Sequence, residues 1–325
     1  MNQSDVDRIW YDGEPAPFWM RALVPVYRTL GAFIRLSWTS GLRKPVRMRV
    51  PVVVIGNITA GGTGKTPLVL AMIDALRERG WKPGVVSRGY GGSADNPILL
   101  DDFPDPAVVG DEPALIRRRT HVPVAIGRNR PEAARQLLEQ DVDVILADDG
   151  LQNPSLARDI EICVIDGRRR FGNGSLLPAG PLRESIDRLR QVDLVVCNGG
   201  QAEPGEIHMA LQGDQAQRLD TADAPRNLAM FSGSTVHAIA AIGNPRRFFD
   251  SLGAHGIDVI EHAFGDHHAL TRADLEFGDE LPILMTEKDA VKCKGFANPR
   301  LWVVPVAAVL PVAFFDAIDR KLRDC

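Results

Sequence analysis

The 325-residue sequence is poor in cysteine and has no surplus of positive charge. Its four cysteines, Cys163, Cys197, Cys293 and Cys325, form no C-x-x-C pair. That excludes the common zinc-ribbon spacing and a disulfide scaffold, and it suits a reducing compartment, expected to be the cytoplasm. The net charge of −4 removes the usual reason to expect a nucleic-acid partner, and none is expected. No cleavable leader is visible, because Asp5, Asp7 and Asp12 precede any apolar run. Internal repeats and low-complexity tracts are also absent, so solenoid architectures are not expected. At this length the chain is expected to hold about two domains.

One lack is local. From Pro15 to Val50 there is no acidic residue, but there are seven basic ones: Arg21, Arg28, Arg35, Arg43, Lys44, Arg47 and Arg49. Large apolar residues such as Phe18, Trp19, Leu23, Leu30, Phe33 and Ile34 interleave with them. Arg21, Arg28 and Arg35 recur every seven residues and share one helix face. No 18-residue stretch of this segment escapes a charge, so it is not expected to span a bilayer. Two readings fit: a helix packed on the domain with a solvated arginine face, or an interfacial anchor on an anionic leaflet. The single sign of the charge favours the anchor.

What is present is a phosphate-loop pattern, Thr59-Ala60-Gly61-Gly62-Thr63-Gly64-Lys65-Thr66. It follows the apolar run Val52–Ile55 and opens an amphipathic helix carrying Leu68, Met72, Ala75 and Leu76 on one face. Glycines let successive backbone N–H groups point at an anion, and the helix N-terminus adds partial positive charge. Lys65 would reach the β/γ-phosphates and Thr66 would place a hydroxyl on Mg²⁺. Thr59 stands where the strict motif has glycine.

Short apolar runs then alternate with helical patterns. Strands are predicted at Val52–Ile55, Gly84–Ser87, Val122–Ile126, Val142–Ala147, Ile160–Ile165 and Val192–Cys197. Helices are predicted over Thr66–Arg79, Glu112–Arg118, Pro131–Gln140 and Arg183–Arg190. Near-continuous apolar strands suit a parallel sheet covered on both faces. The expected architecture is α/β, with a P-loop NTPase-type, doubly wound, mainly parallel sheet. A second, smaller α/β domain and an N-terminal amphipathic helical segment complete it. The expected boundaries are 1–50 for the interfacial segment, 51–205 for the P-loop core, 206–230 for a connector and 231–325 for the second domain. In that second domain the spacing predicts strands Val236–Ala241, Val259–Ala263, Ile283–Thr286 and Val303–Val306. Helices are predicted there over Arg246–Leu252, Thr271–Gly278 and Val312–Leu322.

Several residues are placed to do chemistry. Asp148-Asp149-Gly150 ends a buried strand, where a carboxylate can hold Mg²⁺ through its water shell. Asp111, in Gly110-Asp111-Glu112-Pro113, is either a helix cap or a base that takes a proton from an attacking hydroxyl. Phe264-Gly265-Asp266-His267-His268 is either surface decoration or a working His267 fixed by Asp266. Arg88 and Tyr90 sit past a strand end, and Arg suits a phosphate. Arg183 and Glu184 end a loop fixed by Pro178, Gly180 and Pro181; a structural turn fits both places equally. Thr286-Glu287-Lys288-Asp289 has its lysine at the wrong position for a guanine-reading motif, so GTP is discounted.

Taken in order, these blocks resemble the tetraacyldisaccharide 4′-kinase family, the lipid A 4′-kinases. The resemblance rests on Gly56-Asn57 ahead of Gly61–Pro67, Ser87–Gly91, Val109–Pro113, Asp148–Gln152 and Leu177–Glu184. It continues through Gly243-Asn244-Pro245, Asp266-His267 and Thr286–Lys292. It implies transfer of the ATP γ-phosphate to the 4′-hydroxyl of an acylated disaccharide 1-phosphate lipid, with Mg²⁺. It also implies a peripheral protein on the cytoplasmic face of the inner membrane, reaching the anionic surface through residues 15–50. Asp111 and His267 match the family's catalytic pair. Residues Thr59 to Thr66 match its ATP loop, and Thr66, Asp148 and Asp149 its metal and phosphate residues. Arg88, Tyr90, Gln152, Arg183 and Glu184 match blocks facing the substrate. No protein partner is implied. The alternative is a P-loop ATPase switch or metallochaperone that phosphorylates no small molecule. Against it, Ala60 stands where a dimeric switch ATPase would carry lysine, and no Cys/His cluster is visible.

Overall fold

The computed structural model describes residues 3–221, 224–293, 295–296 and 298–325. Residues 1 and 2 of the expected N-terminal segment lie outside it. Helices α1 (Gln3–Tyr11) and α2 (Phe18–Thr39) come first. The chain continues through β1 (Val52–Gly56), α3 (Lys65–Glu78), β2 (Pro83–Ser87), β3 (Ile98–Leu99), α4 (Pro106–Val109), α5 (Asp111–Thr120) and β4 (Val124–Ile126). Next are α6 (Arg130–Leu137), β5 (Val144–Asp148), β6 (Ile160–Asp166), β7 (Leu194–Asn198) and β8 (Glu206–Gln212). Then come β9 (Gln215–Arg218), β10 (Arg226–Asn227), β11 (Thr235–Ala240), α7 (Pro245–Gly253), β12 (Asp258–Ala263), β13 (Ile283–Thr286), α8 (Glu287–Ala290) and β14 (Leu301–Val304). Strand β15 (Ala307–Val309) and helix α9 (Val312–Arg323) close the chain.

The strands form two sheets, ordered β15-β8-β7-β6-β1-β5-β2-β4-β3 and β10-β9-β14-β13-β11-β12. Strands β1, β2 and β4 to β8 pair in parallel, as expected for a doubly wound core. Every residue of β1 and β5 is buried. Valine and isoleucine suit such strands, because their branched side chains fill the pleated surface from both sides. On one face α3 buries Leu68, Met72, Ile73 and Leu76. On the other, Ala133, Ala134 and Leu137 of α6 pack over Ile145 and Ala147. The register sets Ile55 beside Asp148, so the chain leaves β1 for the phosphate loop at the level of that aspartate.

Three elements depart from the sequence pattern. Arg183–Arg190 is helical only as a short 3₁₀ stretch from Ile186, because the Arg183 and Glu184 amides donate to the Ile58 carbonyl instead. Thr271–Gly278 shortens to a 3₁₀ turn at Ala273–Leu275; Phe277 leaves it to stack on His237 and His262, and Gly278 has φ +74°. The segment expected as a connector carries β8, β9 and β10. Strand β8 mixes apolar and polar residues and is mostly half-buried, β9 is glutamine-rich, and β10 is two exposed residues, so none of them shows a strong strand period.

The two sheets share chain. Strand β8 in the first runs into β9 in the second, and β14 in the second runs into β15 in the first. Helix α9, expected with the second domain, returns to the first. There it buries Phe314, Ile318 and Leu322 in the α3 core, and Trp81 Nε1 donates to Asp319 at 2.7 Å.

Helix α2 runs on through Pro25 and buries only Met20. It lies on the first lobe through Tyr27, whose hydroxyl donates to the Arg183 carbonyl at 3.1 Å, and through an Arg35–Glu184 ion pair at 3.4 Å. Trp19, Leu23, Val26, Leu30, Phe33 and Ile34 stay exposed, Phe33 at 74%. Among the described residues no helix is long and apolar enough to cross a membrane.

The lobes meet glycine to glycine. A Cβ on Gly243, between β11 and α7, would come within 2.3 Å of the Gly62 amide nitrogen. Gly243→Ala is therefore overpacked against main chain that has no rotamer to yield, at about 1–3 kcal/mol. The expected result is a melting temperature lower by roughly 2–10 °C. Gly253→Ala, whose Cβ meets nothing within 4 Å, leaves it unchanged or higher.

Candidate active site

A cleft of about 590 Å³ opens between the two lobes, and the phosphate loop forms its floor. Gly64 caps α3 with φ +96°, a backbone state that glycine adopts without a Cβ penalty. No Cβ fits there in any case, since it would meet Asn198 Nδ2 at 2.1 Å. Asn198, the last residue of β7, locks the loop: Nδ2 donates to the Thr63 carbonyl at 2.8 Å, and Oδ1 accepts from Arg247 of α7 at 2.6 Å. On the other side the Ala60 amide donates to the Pro181 carbonyl at 2.7 Å, and buried Thr59 bridges to Leu182. The loop is thus held open by its surroundings. Gly61, Gly62, Thr63, Gly64, Lys65 and Thr66 all line the cleft, and none of these rigid contacts needs a ligand.

The two strand-end aspartates differ. Asp148 is 0% exposed, and among the described residues its Oδ1 has no hydrogen-bond partner. Its Oδ2 accepts from Ser87 Oγ at 3.4 Å. Burial pushes its carboxyl well above the usual carboxylate range, and Glu112 adds to the rise while Lys65 opposes it. Asp149, at φ +49°, faces cations: Lys65 Nζ at 3.4 Å and Arg183 Nη1 at 3.2 Å. Burial opposes its charge too, but Lys65 and Arg183 outweigh it and hold the carboxyl down at about 2. A buried carboxylate oxygen without a protein partner fits a divalent cation nearby. Among the described residues no group of three or more His, Cys, Asp or Glu could hold a metal ion. A cation here would therefore lean on Thr66, phosphate oxygens and water, as Mg²⁺ commonly does.

Asp111 and His267 come from different lobes and meet. His267 Nδ1 lies 3.2 Å from Asp111 Oδ2, and because a carboxylate only accepts, the ring N–H donates. Gly110 occupies the cap of α5, so the Asp111 side chain is released from capping. Burial would raise the Asp111 carboxyl, but the His267 hydrogen bond, Lys292 and Lys288 outweigh it and hold it below the usual range. His267 sits at φ +63°, a strained state for a non-glycine residue. Tyr90 packs on its ring at 5.1 Å between centroids. Asp266 Oδ2 is 3.7 Å from His267 Nε2, too far for a hydrogen bond, so Asp111 orients the ring. His268 turns elsewhere: Nε2 meets Asp274 at 3.3 Å and the ring stacks on Phe264.

Tyr90 and Arg183 line the cleft, whereas Arg88, Gln152 and Glu184 do not. Gln152 Nε2 donates to the Asn57 carbonyl and to Glu184 Oε1, both at 2.8 Å, bracing the turn that carries Arg183. The sequence reading did not single out Asn198 or Arg247, and it held Gly243, Lys288 and Lys292 only within the blocks of the resemblance, without a role. Asn198 had a signal of the same kind as Asp148, a polar residue ending an apolar strand. Lys288 and Lys292 had another, two cations one helical turn apart.

The family model described as tetraacyldisaccharide-1-P 4′-kinase matches residues 16–323. The chain belongs to this family. It is 51% identical over 323 residues to a tetraacyldisaccharide 4′-kinase of Stenotrophomonas maltophilia, covering 96% of this chain and 95% of that one. It is 48% identical over 337 residues to one from Shewanella amazonensis, covering 98% and 96%. Among solved structures it resembles LpxK from Aquifex aeolicus in complex with ATP, with a TM-score of 0.76 and 25% identity over 93% of this chain and 99% of that one.

Asp148→Asn removes a buried charge that the protein itself does not satisfy. The expected outcome in scanning calorimetry without metal is a melting temperature higher by about 2–4 °C. A lower one would mean that the carboxylate is satisfied within the protein.

Proposed function

We infer that the chain transfers the γ-phosphoryl group of ATP to the 4′-hydroxyl of a tetraacyldisaccharide 1-phosphate. The observation that carries this is the Asp111–His267 contact, made by two lobes across the cleft whose floor is the phosphate loop. ATP lies with its phosphates on the Gly61–Thr66 amides and Lys65. Leu211 and Phe248, which also line the cleft, would give its base an apolar place to rest. Thr66, Asp148 and Asp149 would hold Mg²⁺, which neutralises phosphate charge when bound. Asp111 accepts the proton of the sugar hydroxyl as its oxygen bonds to the γ-phosphorus, and the bridging bond to ADP breaks. His267 fixes the carboxylate that takes that proton. Catalysis of this kind is mostly positioning and charge stabilisation. Tyr90 and Arg183, which line the cleft, are suited to bind the sugar and its charged groups. The switch-ATPase or metallochaperone reading is not favoured, since the relatives are kinases by name.

We further propose that α2 seats the enzyme on the anionic cytoplasmic face of the inner membrane. Its exposed Leu30, Phe33 and Ile34 enter the interface, and its arginines lie on another face. Because Tyr27 and Arg35 join α2 to Arg183 and Glu184, the membrane surface is tied directly to the rim of the cleft.

Two experiments test these readings. With γ-labelled ATP and lipid acceptor in detergent, label should enter the lipid. Asp111→Ala and His267→Ala should lower turnover about 10²-fold or more with ATP affinity little changed. Label released only as free phosphate would overturn the kinase reading. The triple change Leu30→Ser, Phe33→Ser, Ile34→Ser should weaken sedimentation with anionic vesicles about tenfold or more without altering the melting temperature. Undiminished sedimentation would refute the anchor.

A further inference from the structure

Lys292 stands where the second lobe touches the base. Its Nζ lies 2.8 Å from Asp289 Oδ1, donates to the His268 carbonyl at 3.1 Å and reaches Asp111 Oδ2 at 3.6 Å. Asp289 is fully buried and itself held in place. Thr286 Oγ1 and the Ala241 amide donate to its Oδ2 at 2.7 and 3.1 Å. Lys292 is nearly as buried, its side chain 7% exposed. A buried ammonium costs free energy unless it is paired, so its place between two carboxylates is specified by the fold.

Other charges face Asp111 as well. His267 comes from the loop after β12, Lys288 from α8, and Glu112 is its neighbour on α5. Lys288, however, is spent on Glu112 at 3.2 Å and Asp266 at 3.1 Å. Among the described residues only Lys292 and His267 pair with the Asp111 carboxylate itself, both at Oδ2. Among the described residues no hydrogen bond ends on Oδ1.

We propose that Lys292 is a positioning residue: held by Asp289, it pins Asp111 through Oδ2 together with His267 and leaves Oδ1 as the atom that takes the substrate proton. This rests on the kinase reading above. Lys292 acts through Asp111 and touches neither nucleotide nor sugar. Through the His268 carbonyl the same ammonium also steadies the turn that carries His267. One cation thus sets both members of the pair, and it reaches Asp111 only while the second lobe is docked.

The sign of the pH effect follows. A base works when deprotonated, so activity is lost as pH falls through its pKa. Lys292 favours the ionised carboxylate; removing it raises that pKa and moves the acid limb of the profile upward. The test is the pH dependence of lipid phosphorylation by the full chain, with ATP and lipid acceptor in detergent. Lys292→Met should lower kcat at neutral pH at least tenfold and move the acid limb up by about one pH unit, with KM for ATP within about twofold. Lys292→Arg should restore most of kcat and the original limb. Lys292→Met alone leaves Asp289 buried without its cation and can cost stability. The double change Lys292→Met, Asp289→Asn removes both charges and should fold with the same displaced limb. An unmoved acid limb in the folded double variant, or Lys292→Arg no better than Lys292→Met, would overturn the proposal. Wild-type enzyme that labels no lipid would instead overturn the kinase reading on which it rests.

Discussion

Opposite charges must stand side by side in this cleft without cancelling one another. The register of β1 against β5 forces the arrangement, because it sets the exit to the phosphate loop level with Asp148. Lys65 then has a carboxylate neighbour, and the protein divides the task between two aspartates. Asp149 takes the cations, Lys65 and Arg183, and stays ionised. Asp148 is left without them, buried and with one oxygen unpartnered. A site fully paired within the protein would have no charge left for a ligand. This one keeps an unmet need at the position where an incoming cation–phosphate pair can answer it.

The second lobe completes what the first cannot. The first lobe contributes Asp111 and Glu112 at the head of α5; the second contributes His267, Lys288 and Lys292. The interface runs along α5: Arg118 Nη1 donates to the Val291 carbonyl at 3.1 Å, and Arg119 pairs with Glu287 at 2.5 Å. The Asp111–His267 contact is thus the end of a longer zipper of ionic and hydrogen-bonded contacts. Asn198, reaching Thr63 on one side and Arg247 on the other, extends the same logic to the phosphate loop. Asp111 and the Gly61–Thr66 loop are both braced across the lobe boundary.

Much of the first lobe could be read from the chain, since buried parallel strands announce themselves as unbroken apolar runs. The phosphate loop and Asp148 were legible for the same reason: they are fixed by local pattern and strand ends. What could not be read depends on distant partners. Glu184 would have begun a helix had its amide not found Ile58 across the molecule. Strands β8 and β9 escaped notice because they are only partly covered and carry polar residues among or in place of the apolar run that marks a buried strand. Lys292 looks like any cation on a short turn until Asp289 and Asp111 are seen on either side of it. Asp111 itself was ambiguous for a physical reason, since an aspartate at a helix start can always cap, and only Gly110 taking that place settled where its side chain goes.

The passage of chain between the sheets has a consequence for how this molecule can be divided. Because β15 and α9 return to the first sheet after the second is complete, the first lobe is not a contiguous stretch of sequence, and the second is inserted within it. A cut after residue 230 would strand Phe314, Ile318 and Leu322 on the wrong fragment and leave α3 with a bare apolar flank. The second lobe is set inside the first, not strung after it like a bead.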